Sequence, residues 1–367
     1  GPNPDAPVDD VGVRVFTVPT EEPESDGTLS WSATTVVVAA PRAGDVTGLG
    51  FTYGPAACAS MIRDELAPAV CGLDALDVPG AWLAMVRAIR NAGRPGISSM
   101  AIAAMDTALW DLKGRLLGLP VSALLGRVRS DVPVYGSGGF TSYSDRQLRD
   151  ALHAWIRQGI GRVKIKIGED RGAREDRDLS RIELARSVIG DDVELFVDAN
   201  GGYGRTQAIR VGHRCRDWDV RWFEEPVSSD DLDGLRRVRD ALDLDVAAGE
   251  YGYDLPYFRA MCAAGAVDVL QADVSRCAGI TEWLRVAAVA AAEGLDVSAH
   301  CAQSLHAQPA CAVANLRHLE YFHDHARVDR LLFDGVLEPI DGILRPDPAR
   351  SGLGLELKGA DAARYER

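Results

Sequence analysis

The chain has 367 residues, 47% apolar and 26% charged, a composition that excludes fibrous and disordered classes and leaves room for a barrel of about 250 residues plus a smaller domain. Its net charge of −14 repels nucleic acid and anionic membranes, so neither is an expected partner and a small molecule is. Apolar stretches such as 286–292 fall well short of the ~20 residues of a membrane span.

The N-terminus has no basic region followed by an apolar one, so a cytoplasmic location is expected. Gly1-Pro2 has the form of a tag-cleavage scar and is set aside. The next stretch reads as an α+β unit: a strand at 11–18, a polar loop at 19–30, a second strand at 34–40, and a turn at Ala43-Gly44-Asp45 leading to 48–53. From Met100 onward, Ile102, Met105, Leu109, Leu112 and Leu116 recur at helical spacing until Gly118-Leu119-Pro120 stops the helix.

After Gly126 the pattern changes to short apolar runs separated by helical stretches, the signature of βα units with a parallel sheet. Eight runs, at 132–136, 162–167, 194–197, 220–223, 245–248, 267–271, 295–298 and 317–321, suffice to close a barrel. The expected fold is α/β, a (β/α)8 barrel over 130–331 with an N-terminal α+β domain over 1–129. A Gly/Pro-rich tail, 332–367, is expected to pack back on the first domain. Seven cysteines without a C-x-x-C pair read as free thiols in a reducing compartment, and Cys301 reads as packing.

Barrel active sites lie at the C-terminal ends of the strands, and here those ends are nearly all ionisable. Asp198, Glu224 and Glu250 follow one another at intervals of 26 residues, about one βα unit, so three carboxylates converge. A hard cation such as Mg²⁺ takes about six oxygens, and three carboxylates leave room for water and a substrate carboxylate. The plainer reading is that each acid caps the helix after its strand.

Alternation along 162–167 sends Val163, Ile165 and Ile167 toward the helices and Lys164 and Lys166 into the barrel. Two buried cations need compensating anions or a function, and their mutual repulsion plus a metal would lower a lysine pKa toward that of a working base. The plainer reading pairs both lysines with the carboxylates. His300 ends one run and Asp273 the run before it, which places them as a dyad in which the carboxylate sets the imidazole tautomer. Asn200, Tyr135, Ser137, Arg276, Gln303 and His306 are polar candidates for substrate contacts, and Glu320 ends the last run.

With Lys164-Ile165-Lys166, the Asp198/Glu224/Glu250 set, Asp273, His300 and Glu320 in this order, the chain resembles the mandelate racemase subgroup of the enolase superfamily. The resemblance implies Mg²⁺ as cofactor, Lys166 as one base, His300 as the opposite base and Glu320 as a hydrogen-bond donor to an enolate. Asn200 and Lys164 are supporting residues by the same resemblance. It further implies that the N-terminal domain is a cap whose loops, 19–31 and 50–55, close over a small carboxylate substrate, and that the chain forms a homo-oligomer, a dimer or an octamer. The muconate-lactonizing branch is less similar, because it has a lysine where this chain has Asp273.

The α-proton of a carboxylate is very weakly acidic, so the reaction needs electrostatic stabilisation of an enediolate. The expected reaction is dehydration of a sugar-derived hydroxy acid to a 2-keto-3-deoxy acid. Racemisation or epimerisation of a 2-substituted acid is the alternative. An inactive binding protein is disfavoured because every catalytic position is filled.

Overall fold

The computed structural model describes residues 5–367, so Gly1-Pro2 lies outside the described residues. The N-terminal sheet is built on a long antiparallel ribbon of β1 (Asp10–Ser25) and β2 (Ser30–Ala43), with β3 (Val46–Thr47) and β4 (Gly50–Tyr53) paired to β2. The expected polar loop at 19–30 is corrected. After an irregularity between Pro19 and Glu24 the pairing resumes with Glu24↔Trp31 and Ser25↔Ser30, leaving a tight turn. Asp26 makes that turn, its Oδ1 accepting the backbone N–H groups of Thr28 and Leu29.

Helix Ile97–Leu117 starts after Gly96 and ends at Gly118, both at positive φ. It is buried almost all round because the sheet lies on one side and the barrel on the other. Its close approach to the sheet requires glycine: a Cβ on Gly50 would come within 2.2 Å of the Ala108 nitrogen.

The eight runs are eight parallel strands: β5 (Val132–Gly138), β6 (Arg162–Lys166), β7 (Glu194–Asp198), β8 (Val220–Glu224), β9 (Asp245–Ala248), β10 (Val269–Ala272), β11 (Asp296–Ala299) and β12 (Leu316–Phe322). Each pairs with the next, and β12 pairs with β5, which closes the barrel. Alternation holds along β6, where Val163 and Ile165 join the main apolar core while Lys164 and Lys166 point inward. A separate cluster of Tyr135, Phe196, Trp222, Ala247 and Val269 fills the barrel beneath the charged groups and forms a dry floor.

The tail contributes β13 (Phe333–Asp334), β14 (Ile343–Leu344) and β15 (Glu356–Leu357). It touches both units: β14 pairs antiparallel with the start of β5, whereas Leu353 N–H donates to Asp111 of the long helix at 2.7 Å and Glu366 bridges Phe16. All seven thiols are free. Among the described residues no helix is long and apolar enough to cross a membrane.

Candidate active site

Asp198 and Glu224 end β7 and β8, and Glu250 lies two residues past β9. Between β9 and Glu250 stands Gly249 at φ +142°, where a Cβ would meet the Gln271 carbonyl oxygen at 2.2 Å, so the turn that presents Glu250 needs glycine. The three acids are buried, and one oxygen of each lies within 4.8 Å of the other two.

Helix capping does not explain them. The helices that follow are capped at Gly204, Asp231 and Asp254. Glu224 Oε1 and Glu250 Oε2 have no hydrogen-bond partner. Buried carboxylate oxygens left unpaired at such close range are costly, and an all-oxygen donor set of this charge fits a hard divalent cation.

Both lysines lie against this set. Lys164 Nζ is 2.6 Å from Glu224 Oε2 and 2.8 Å from Glu320 Oε1, and Lys166 Nζ is 2.6 Å from Asp198 Oδ2. The repulsion between the lysines acts in the expected direction, and the carboxylates by themselves act against it. Burial lowers both lysines and Lys164 lowers Lys166, but the surrounding carboxylates outweigh these effects and hold both ammonium groups well above their ordinary range.

On another side His300 Nδ1 lies 2.8 Å from Asp273 Oδ2. Asp273 is fixed in turn by the N–H and hydroxyl of Ser275, at 2.7 and 2.6 Å. Burial raises the Asp273 carboxyl, but the bond from His300 and its charge bring it below the usual range. Burial lowers His300, yet Glu250, Asp273 and Glu320 together raise it. With Nδ1 held by Asp273, Nε2 is the nitrogen left facing the acid cluster, 3.4 Å from Glu250 Oε2.

Glu320, on β12, accepts from Ser137 Oγ at 2.6 Å and from Cys301 N–H at 3.0 Å. The donor role that the resemblance implies for it requires a proton. Burial favours that proton, but Lys164, His300 and Lys166 together hold Glu320 well below the ordinary carboxylate range.

A cavity of about 380 Å³ opens onto Lys166, His300, Asp273 and Glu250. Of the six polar candidates, Asn200 and Arg276 line it, and Asn200 Oδ1 is buried without a partner. The other four do not line it. Tyr135 lies in the barrel floor, its hydroxyl accepting from Gln271 at 2.7 Å. Ser137 serves Glu320. Gln303 is buried in a helix, its Nε2 3.5 Å from the Phe322 carbonyl and its Oε1 without a partner. His306 joins Val274 N–H to the Cys301 carbonyl.

Several lining residues are absent from the sequence reading: Asp26, Trp31, Thr34 and Tyr53 from the N-terminal sheet, and Asp324 and His325 just past β12. Asp26, Trp31 and Tyr53 fall in the two segments, 19–31 and 50–55, named from the resemblance, which was the available signal. Asp324 carried one too, as an acid four residues after Glu320. Cys301, read as packing, also lines this cavity, with Sγ 3.4 Å from His300 Nε2.

A closed parallel barrel with three acids, two lysines and a His–Asp pair at one mouth, under an α+β cap, defines the enolase-like class of enzymes. A family model for an enolase C-terminal domain-like region matches residues 147–362, and one for the mandelate racemase / muconate lactonizing enzyme N-terminal domain matches residues 11–126. The chain belongs to the mandelate racemase / muconate lactonizing enzyme family.

It is 32% identical over 327 residues to the L-talarate/galactarate dehydratase of Salmonella typhimurium, covering 88% of this chain and 80% of that protein. A crystal structure of that dehydratase liganded with Mg and L-lyxarohydroxamate superposes with a TM-score of 0.89 at 28% identity, covering 98% of this chain and 93% of the other. The D-galactarolactone cycloisomerase of Agrobacterium fabrum is 36% identical over 257 residues, 69% of this chain and 67% of that protein. The structure of a mandelate racemase/muconate lactonizing enzyme-like protein from Rubrobacter xylanophilus is similar over 98% of this chain and 100% of its own, with 49% identity and a TM-score of 0.95.

Proposed function

We propose that this enzyme uses Mg²⁺ to remove the α-proton of a polyhydroxy carboxylate and eliminates the β-hydroxyl, giving a 2-keto-3-deoxy acid. The reading rests above all on one observation: Glu250, whose Oε2 is unpartnered and which clusters with Asp198 and Glu224, lines a cavity that Lys166 enters from β6 and His300 from beyond β11. Bound by those three acids, Mg²⁺ supplies positive charge that stabilises a substrate carboxylate as it gains negative charge.

With a cation bound at Asp198 to offset the charge that holds its proton, Lys166 Nζ in its neutral form takes the α-proton. The β-hydroxyl leaves as water, taking a proton from His300 Nε2, and the resulting enol tautomerises to the keto acid. Asp273 holds His300 Nδ1 and keeps Nε2 turned toward the substrate. Lys164 offsets the charge of Glu224 and Glu320, and the dry floor beneath it limits solvent screening.

The same pair supports a second reading, reprotonation from the opposite side to give racemisation or epimerisation, because two proton-carrying groups enter one cavity from strands three steps apart around the barrel.

The experiment is proton NMR in D₂O, with Mg²⁺ and a panel of hydroxy acids. A 2-keto-3-deoxy product supports the dehydratase reading. Deuterium at Cα with an inverted isomer and no elimination replaces it with the racemase or epimerase reading, and the absence of both from the whole panel refutes α-proton chemistry.

A further inference from the structure

The charges around the cavity are unevenly distributed. Among the described residues its basic groups are Lys166, Arg276, His300 and His325. The first three are committed at the strand ends: Lys166 to Asp198, His300 to Asp273, and Arg276 to Glu250, with Nη1 3.1 Å from the Glu250 carbonyl and 3.4 Å from Oε1. Arg276 also lies over the Tyr251 ring. The fourth, His325, is neutral at pH 7, since burial pushes it down to about 4, and its Nδ1 accepts the Ala302 N–H.

The wall formed by the N-terminal sheet and the residues past β12 carries two carboxylates, Asp26 and Asp324, with the Thr34 hydroxyl bonded to Asp324 Oδ2. Arg327 stands behind Asp324, bound to its Oδ1 and to the Pro19 carbonyl, and does not line the cavity. Behind Trp31, the buried Glu24 carboxyl is pushed up to about 8, first by burial and then by the charge of Asp324. Another negative charge is poorly tolerated at this wall, whereas hydroxyl groups find acceptors there.

We infer that the cavity selects a monocarboxylate whose chain ends in hydroxyls, with Asp26 and Asp324 accepting hydrogen bonds from those hydroxyls, and that it rejects an acid with a second terminal carboxylate. This rests on the proposed reading for which end of the substrate meets the acid triad. The argument is one of specificity by repulsion: an anionic wall without a free cation discriminates against a dianion even where the contacts to the rest of the chain are the same.

The test compares a six-carbon aldonate with the aldarate of the same configuration, in two readouts. Binding is measured by calorimetry to Mg²⁺-loaded Lys166→Ala protein, and turnover by NMR with the wild type. The aldonate is expected to bind at least 10-fold tighter and to show at least 100-fold higher kcat/KM. Asp324→Asn, or Asp26→Asn should that variant not fold, is expected to narrow either ratio at least 10-fold.

Equal or tighter binding of the aldarate overturns the inference, as does binding of neither acid. A ratio unmoved by the substitution made overturns the role given to the two carboxylates. If the aldonate binds preferentially but no acid reacts, the selection stands and the proposed reaction is what fails.

Discussion

Lys166 and His300 differ in what holds them. The lysine is kept by the charge of Asp198, the histidine by a directed bond to a carboxylate that is itself bonded to Ser275. Removing either leaves Asp198, Glu224 and Glu250 in place. Lys166→Ala and His300→Asn are each expected to lower kcat about 10³-fold or more, beyond the low end of what general acid–base groups contribute, while calorimetric Mg²⁺ affinity stays within about 10-fold. Full turnover in either variant sinks the two-group assignment, and turnover by chelator-treated protein without added metal sinks the acid triad as a metal site. At this scale the sequence was most legible where a period of two put charge inside a barrel. It was least legible at Tyr135, Ser137 and His306, because a polar side chain near a strand end reveals nothing of whether a backbone or another side chain has already satisfied it.

The β1–β2 turn is the element that brings the cap to the barrel. Gly27 lies so close to the rim that a Cβ would meet the carbonyl oxygens of Ala199, Ile167 and Gly168 at 2.6, 2.8 and 2.9 Å, and its own carbonyl accepts the Arg171 N–H at 2.9 Å. Three backbone atoms at that range have no rotamer with which to yield. Gly27→Ala is therefore expected to lift the turn, carrying Asp26 away from the cavity it lines, and to cut kcat/KM at least about 10-fold, in line with the cost of misplacing groups that orient a substrate. Wild-type kcat/KM in this variant would show that the turn is not needed for closure. The ribbon itself ran seven residues past the expected end of β1, since the pairing of Glu24 and Ser25 with Trp31 and Ser30 depends on cross-strand partners that local composition does not reveal.

Asp111 ties distant parts of the chain together. Its Oδ2 accepts the Leu49 N–H at 2.7 Å and the Arg115 Nε–H at 2.5 Å, and its Oδ1 accepts the Leu353 N–H, so one carboxylate joins the N-terminal sheet, the long helix and the tail. Asp111→Ala leaves two buried N–H groups and a guanidinium without their partner, and a loss of about 3–5 kcal/mol in unfolding free energy is expected from denaturant titration. A loss under about 1 kcal/mol would mean that the tail is held by its apolar contacts alone. Nothing in the local pattern marked Asp111 for this task, since a polar residue on a helix of this composition reads as solvent-facing.

The sequence by itself determined the eight-stranded barrel, the helix that ends at Gly118 and the inward lysines, and it pointed to the acid triad and the His–Asp pair, because strand period, βα spacing and glycine stops are local signals. Only the tertiary structure decided which polar residues face the cavity, how the β1–β2 turn docks on the barrel rim, and which charges oppose one another across it. Those depend on distances between segments far apart in the chain, and a hydrogen bond or an unpaired oxygen exists only once both segments are in place.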